Sequence, residues 1–420
     1  EKSIEPIYNT YYLPRKFKCA VTVPGDNSVD AYTQDITFVV ITDDNGELQG
    51  FNVLAGGGMG RTHNLAETFA RVADHIGYVD KDDVYELAKA IVFTQRDYGE
   101  RYNRRLARMK YLVHHCGLPK FIEEVEKRFG KKLEPYRELP EWKFEDYLGW
   151  HEQGDGKLFV GVHVRNGRVH NHGKLRNKKA FKEIVETYNI SMRVTPNQSV
   201  ILCDVNSADK DAIQAILDRE GLTPDSKVDS LERYSMACPA LPTCGLAVTE
   251  SEREIPNTLT RLRKLMDKLG LKNETFVTRM TGCPNGCARP YMAEVAFVGQ
   301  APEKYQLWLG GSPNQTRLAR PYMDKMPYSD LEETMEPLFA CFKQNRSEGE
   351  SFGDFCDRYT FDALRSFSET YQPVKKVGSG RRRNRVGMSD DLFGKLKAKA
   401  TADGVSMADA LESLIGDRLG

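Results

Sequence analysis

Short apolar runs broken by glycine and asparagine give the first part of the chain the pattern of a sheet. Residues 36–42, a turn at Asn45-Gly46 and residues 48–54 predict a β-hairpin, because Asn-Gly readily takes the left-handed backbone that a tight hairpin needs. The run Gly56-Gly57-Gly58-Met59-Gly60 follows directly. Apolar positions then recur at helical spacing over 82–95 and 104–116, the second stretch crowded with Arg104, Arg105, Arg108 and Lys110. From Leu158 the period changes. A strand at 158–164, the Asn166-Gly167 turn, a helix near 179–188, strands at 191–195 and 199–204 and a helix at 208–220 spell a compact ββαββα module. An amphipathic helix from about 257 carries Leu259, Leu262, Leu265, Met266 and Leu269 on one side and stops at Gly270. Strands near 291–299 and 305–310 come next. Strand followed by glycines occurs twice, at 53–58 and 307–311, a weak internal repeat on sequence alone.

Composition narrows the class. A chain of 420 residues accommodates about three domains. Its 60 Lys and Arg balance 60 Asp and Glu, so bulk charge makes neither nucleic acid nor a membrane an obligatory partner. A mean hydropathy of -0.54 and the lack of a long apolar run exclude a transmembrane helix. No leader pattern stands at Glu1, and the chain reads as processed or, the favoured reading, a fragment.

Two cysteine pairs carry the chemistry: Cys238-x5-Cys244 and Cys283-x3-Cys287, the latter inside Thr281-Gly282-Cys283-Pro284-Asn285-Gly286-Cys287. Thiolates are the usual ligands of iron–sulfur clusters, glycines let backbone approach a bulky cofactor, and Pro239, Pro242 and Pro284 stiffen both loops. The five-residue gap argues against structural zinc without excluding it. All eight histidines lie at or before His172, so a mixed zinc site would have to recruit one from far away. An odd count of 9 cysteines argues against a disulfide framework, and Cys19, Cys116, Cys203, Cys341 and Cys356 read as small buried hydrophobes.

Together with 235–244, 281–287 and Tyr12-Leu13-Pro14-Arg15-Lys16-Phe17-Lys18, the chain resembles the sulfite and nitrite reductases that use sirohaem, from about residue 7 to 370; its ending near 351–356 is similar to that of the ferredoxin-dependent branch. The resemblance implies an α+β fold in which two related α/β cofactor domains sit about a pseudo-twofold axis with a ferredoxin-like module. It divides the chain into a first sirohaem-binding domain at 1–150, a ferredoxin-like half-domain at 151–225, a cluster- and sirohaem-binding domain at 226–372 and a small helical tail at 373–420. It also implies a further N-terminal half, with two anion-holding arginines, outside this chain.

By the same resemblance Cys238, Cys244, Cys283 and Cys287 ligate a [4Fe-4S] cluster, Cys287 also binds the sirohaem iron, and Asn285 lies against the macrocycle. Arg15, Lys16 and Lys18 are the expected catalytic cations, gripping a small oxyanion and supplying protons. Alternation in an extended strand puts Lys16 and Lys18 on one face and Phe17 on the other. Sirohaem is rich in carboxylates, so Arg15, Lys18 and Arg108, the last ahead of Lys110, are expected to contact it. Gly57 and Gly58 could offer backbone N–H groups, and Asn197 and Gln198 resemble a pocket segment; plain turns explain both nearly as well. The implied reaction is six-electron reduction of sulfite to sulfide with ferredoxin as donor, nitrite reduction being the alternative. Lys18 favours sulfite, because similar nitrite reductases tend to carry asparagine there. No dinucleotide fingerprint is visible. The expected compartment is a cyanobacterial cytoplasm or a plastid stroma. In the tail, the basic stretch 375–385 precedes two helical patterns at 389–402 and 406–419, which look like a ribbon-helix-helix unit and open a second reading, DNA association or a DNA-associated protein using the reductase fold structurally.

Overall fold

The computed structural model describes residues 5–8, 10–222 and 227–373, with 396, 398 and 399 of the tail. Those three tail positions are helical, and the remaining tail expectations lie outside the described residues. All elements below belong to the unit Glu1–Tyr371.

The first sheet contains β1 (Cys19–Thr22), β2 (Ile36–Thr42), β3 (Leu48–Ala55) and β4 (Asp74–Asp80) in that spatial order. The hairpin forms as expected, turning at Gly46 with φ +85°. Helices α1 (Val84–Tyr98), α2 (Met109–Cys116) and α3 (Leu118–Phe129) bury Leu87, Ile91, Val113, Phe121 and Val125 against Ile36, Phe38 and Val53. Residues 104–108 are not helical, contrary to their spacing. The Asn103 side chain accepts from the Arg105 N–H and its carbonyl from Leu106, a local turn that competes with the helix until Met109.

The middle module comprises β5 (Gly149–Glu152), β6 (Leu158–Val162), a small hairpin of β7 (Asn171–His172) and β8 (Leu175–Arg176), α4 (Asn177–Tyr188), β9 (Ser191–Val194), β10 (Val200–Val205) and α5 (Lys210–Arg219). Its sheet runs β5-β6-β10-β9. Phe181, Ile184, Ile213 and Leu217 pack on Val160, Val162 and Leu202 from one side.

The last part holds α6 (Ser230–Arg233), β11 (Met236–Ala237), α7 (Ile255–Leu269), β12 (Thr278–Thr281), β13 (Val295–Ala301), β14 (Lys304–Leu309), β15 (Arg320–Pro327) and the terminal helices α8 (Leu331–Asn345), α9 (Phe352–Tyr359) and α10 (Phe361–Thr370). The apolar stripe of α7 is buried as its spacing requires, and Gly270 ends it in the left-handed region at φ +74°. Residues 291–294 are not strand. Pro290 lacks an N–H and opens a single helical turn, so β13 starts only at Val295.

The weak sequence repeat is a structural one. In both halves a short strand runs parallel to the next, which then pairs antiparallel with a third and through it a fourth: β1, β2, β3, β4 match β12, β13, β14, β15. Cys19 pairs with Ile36 as Thr278 pairs with Val295, and Ile36 pairs with Ala55 as Val295 pairs with Leu309. A one-turn helix precedes β2 at Ala31–Thr33 and β13 at Pro290–Met292, capped by Asp30 and Arg289, both left-handed at φ 50°. The glycines after β3 and β14 correspond too: Gly56 and Gly310 turn at φ +88° and +90°. Among the scattered cysteines Cys203, Cys341 and Cys356 are buried, but Cys19 and Cys116 are exposed, one on the edge strand β1 and one at the end of α2.

The same close approach recurs after each strand. A Cβ on Gly57 would stand 2.4 Å from the Tyr32 carbonyl oxygen and one on Gly311 2.3 Å from that of Ala293. Gly57→Ala and Gly311→Ala are each expected to lower stability by about 1–3 kcal/mol, the cost of overpacking. Gly245→Ala, where a Cβ meets nothing within 4 Å, is expected to leave the urea-denaturation midpoint unchanged.

Candidate cofactor and anion site

Strand β11 delivers Cys238 and strand β12 delivers Cys283, side by side in a parallel pair, which is why cysteines 45 positions apart become neighbours. Cys238 and Cys283 are buried, Cys244 is half-buried and Cys287 is exposed. The Gly282 N–H donates to Cys238 Sγ at 3.3 Å. Burial pushes the Cys283 thiol up, and the charges of Cys238, Cys287 and Cys244 add to it, so all four sulfurs share one neighbourhood. Among the described residues no three of His, Cys, Asp and Glu stand close enough to share one ion. A cubic cluster spreads its thiolates over four irons, so its ligands need not converge on one ion. The Thr281 hydroxyl is buried beside the ligand loop with no partner among the described residues. Gly286, left-handed at φ +64°, brings the chain tight against Tyr291, where a Cβ would lie 2.8 Å from the ring. This donor set fits an iron–sulfur cube with one thiolate facing outward.

The outward face is cationic. Asn285 and Cys287 are exposed and Arg289 is half-buried, while Gly286 and Ala288 between them are buried. Lys18 lies within electrostatic reach of Arg289. Burial of its ammonium, with the charges of Arg108, Lys16 and Arg289, holds the Lys18 pKa below the usual lysine range, although much of the side chain stays open to solvent. Lys16 and Lys18 precede β1 rather than lying within a strand, but the Lys18 carbonyl accepts from the Ile36 N–H at 3.1 Å, and Phe17 turns the other way onto the core of the first sheet. Arg15 is exposed at a bend. Arg101 anchors the preceding segment through the carbonyls of Tyr11 and Tyr12, at 3.0 and 2.8 Å.

Arg108 and Lys110, two positions apart, stand in different surroundings. Arg108 makes a two-point contact with Asp35 at 3.2 and 2.6 Å, and Asp35 also accepts from the Lys18 N–H at 2.9 Å, so one carboxylate aligns both cations. Lys110 is fully buried, and its ammonium donates to the carbonyls of Gly58, Gly60 and Phe69. Burial, reinforced by the Arg108 charge, pushes its pKa down to about 7. The N–H groups of Gly57 and Gly58 are not free for a ligand: they donate to Gln34 and Arg71 carbonyls at 2.9 and 2.8 Å. Only glycine fits there because Tyr32, Arg108 and Lys110 crowd the run. Gln198 clamps Ala237, next to Cys238, with its amide on both backbone groups at 2.7 and 3.0 Å, while Asn197 donates to Glu145. Pattern reading missed Asp35, Arg61 and Arg289. Arg61 donates its N–H to the Pro284 carbonyl at 2.9 Å and lays its guanidinium over Trp308, 5.0 Å from the ring centroid. The only local signals were an arginine after the glycine run and another two positions past the last cysteine. A separate cavity of 770 Å³, lined among others by Phe144, Tyr234, Thr275 and Ser351, shares none of these groups.

Four thiols gathered in one neighbourhood, one of them exposed, form a donor set that fits an iron–sulfur cluster, with basic side chains nearby. Residues 1–133 match a nitrite and sulphite reductase 4Fe-4S domain, and 151–220 a nitrite/sulfite reductase ferredoxin-like half domain. The chain is 58% identical to a sulfite reductase [ferredoxin] of Synechococcus elongatus over 97% of its own length and 65% of the relative's. It is 42% identical to a sulfite reductase [NADPH] hemoprotein beta-component of Methylorubrum populi over 89% and 62% of the two chains. The solved structure of Mycobacterium tuberculosis NirA superposes with a TM-score of 0.71 at 26% identity, covering 84% of this chain and 64% of that one. The chain therefore spans a little under two thirds of the length of these relatives. It belongs to the sirohaem- and [4Fe-4S]-containing sulfite and nitrite reductase family.

The buried Lys110 ammonium gives a test of the site's electrostatics. With its pKa lowered in the folded state, the unfolded chain binds the extra proton between about pH 7 and the ordinary lysine value of 10.5, so stability rises with pH across that window. Lys110→Met is expected to remove that rise, seen as a flattened difference in urea midpoint from pH 7 to pH 10.

Proposed function

We propose that this chain carries the cluster- and sirohaem-holding part of an assimilatory sulfite reductase, which reduces sulfite to sulfide with six electrons from ferredoxin. One observation carries the reading: the exposed Cys287 thiol shares a neighbourhood with the thiols of Cys238, Cys244 and Cys283 and stands two positions before Arg289, whose charge reaches Lys18. Cys238, Cys244, Cys283 and Cys287 hold the [4Fe-4S] cluster, and Cys287 with Asn285 faces the sirohaem. Arg15, Lys18 and Arg108 meet its carboxylates. When bound, the two cofactors would supply electron storage and redox chemistry, with Cys238, Cys244, Cys283 and Cys287 as the residues that would hold them.

The protein's own groups then bind the substrate and handle its protons. Lys16 and Lys18 are ammonium groups that attract a dianion, and a lowered pKa makes Lys18 the readier proton donor as oxygen leaves. Asp35 keeps Arg108 and the Lys18 backbone in place while these charges work. Ferredoxin as donor is supported by the name of the Synechococcus relative; other relatives are named for NADPH-dependent enzymes, and a flavoprotein donor is the second reading on that ground. The division at 150, 225 and 372 belongs to this proposal, supported by a four-stranded sheet in the first segment, a four-stranded sheet that begins at Gly149 and a two-stranded hairpin in the second, and a five-stranded sheet in the third. No helix among the described residues is long and apolar enough to cross a membrane. A cyanobacterial cytoplasm or a plastid stroma is the compartment we assign, on the strength of the cyanobacterial relative. DNA association through the tail gains no support from the relatives and is not part of the reading.

Sulfite-dependent sulfide release, driven by reduced ferredoxin, is the direct assay, run with a complete N-terminal half. Lys18→Asn removes one charge from the anion grip and is expected to raise nitrite turnover relative to sulfite by about tenfold, the effect of about 1.4 kcal/mol in differential binding. Unchanged sulfite and nitrite kinetics in that variant would refute the role given to Lys18.

A further inference from the structure

The repeat places two residues at matching positions, each capping a one-turn helix six positions before the central strand of its half: Asp30 before Ile36 and Arg289 before Val295. They face each other across the junction of the halves and form an ion pair. Asp30 is fully buried, and a second guanidinium, that of the fully buried Arg279, reaches it at 3.0 Å. Arg279 also donates to the Arg289 carbonyl at 3.1 Å. Burial alone would raise the Asp30 pKa; Arg279 and Arg289 reverse this and keep it below the usual carboxylate range.

One carboxylate cannot neutralise two guanidiniums, so the cluster keeps a net positive charge. Arg279 has no exposure through which to express it. Arg289 does: its side chain is 18% exposed, its Nε is bound to Asp30 and its Nη2 to the Pro196 carbonyl at 2.9 Å, and Nη1 has no partner among the described residues. It stands two positions past the outward thiol of Cys287 and near enough to Lys18 to oppose that lysine's protonation. Two of its three nitrogens are fixed to protein, so little side-chain freedom remains to be lost when an anion binds the third.

We propose that Arg289 is a further anion-binding cation of the site, aimed by the buried carboxylate of Asp30, which acts as its positioning residue across the pseudo-twofold axis. Its ligand is the oxyanion substrate or a carboxylate at the rim of the tetrapyrrole; both present anionic oxygens to the same guanidinium. This rests on the reductase reading above.

The test uses the oxidised holoenzyme and two measurements besides turnover: tetrapyrrole bound per chain, and the sulfite dissociation constant from the visible-absorption change. Arg289→Gln is expected either to weaken sulfite binding tenfold or more at normal tetrapyrrole content, which assigns the substrate, or to lower tetrapyrrole content severalfold, which assigns its carboxylates. Arg289→Lys keeps the charge and is expected to recover most of whichever property was lost. Asp30→Asn is expected to shift the same property as Arg289→Gln, though less, and to lower the melting temperature because two guanidiniums lose their partner. Should Arg289→Gln bind sulfite and tetrapyrrole like the parent, or should Asp30→Asn and Arg289→Gln lose only melting temperature, Arg289 is structural and the inference is overturned. Should the parent itself hold no tetrapyrrole, the functional reading fails first, and the two failures are told apart by that control.

Discussion

A carboxylate without access to water, set between two guanidiniums, ties the halves of this molecule together. Asp30 belongs to the first repeat, and Arg279 and Arg289 to the second. Buried charges are tolerated only when paired and hydrogen-bonded, and removing one partner from such a group typically costs about 3–5 kcal/mol. The pairing therefore specifies how the repeats meet more than it adds to stability. Where they meet, the glycine run of the first half touches the Cys283–Cys287 loop of the second: Arg61 donates to the Pro284 carbonyl, and Asn27 donates to Asn314 and Gln315. The site is built on that seam, with thiols from one half and most of the cations from the other.

The division of labour follows from the repeat. Each half supplies a short strand, a left-handed corner, a one-turn helix and a glycine pair, but only the second half has cysteines at its corner; Ser28 lies two positions before Asp30, where Cys287 lies two before Arg289. Asp35 and Glu294 likewise precede the central strands, and both are buried carboxylates with different tasks. Asp35 aligns Arg108 and Lys18, while Glu294 accepts the N–H groups of Val277 and Gly353 and is pushed by burial up to about 7. One scaffold thus carries a cysteine-bearing corner and a corner lined by a buried carboxylate and cations.

Much of this was legible in the sequence, and the reasons for the rest are physical. The α7 stripe and the Asn45-Gly46 hairpin are local signals, and the structure agrees with them; the spacing of the cysteines is local too, and the four thiols stand in one neighbourhood. The faint glycine repeat was real but could not be weighted, because register and strand direction are not written in composition. Arg108 and Lys110, two positions apart, look alike in sequence; burial against three carbonyls makes one a brace for the glycine run, and the Asp35 carboxylate holds the other near Lys18. Gly57 and Gly58 suggested free N–H groups, yet their donors are spent on Gln34 and Arg71. Asp30 and Arg289, separated by 259 positions, carry no pattern that links them. Long-range pairing is what a single sequence hides.

The central claim is that the Cys287 thiolate belongs at once to an iron–sulfur cube and to the iron of a tetrapyrrole. Mössbauer spectroscopy on isotopically enriched protein with its N-terminal half, purified without air, tests it most directly. A tetrapyrrole iron magnetically coupled to a four-iron cluster, lost in Cys287→Ala, is the expected result; zinc in place of iron, or a cluster with no coupled tetrapyrrole iron, would contradict the account.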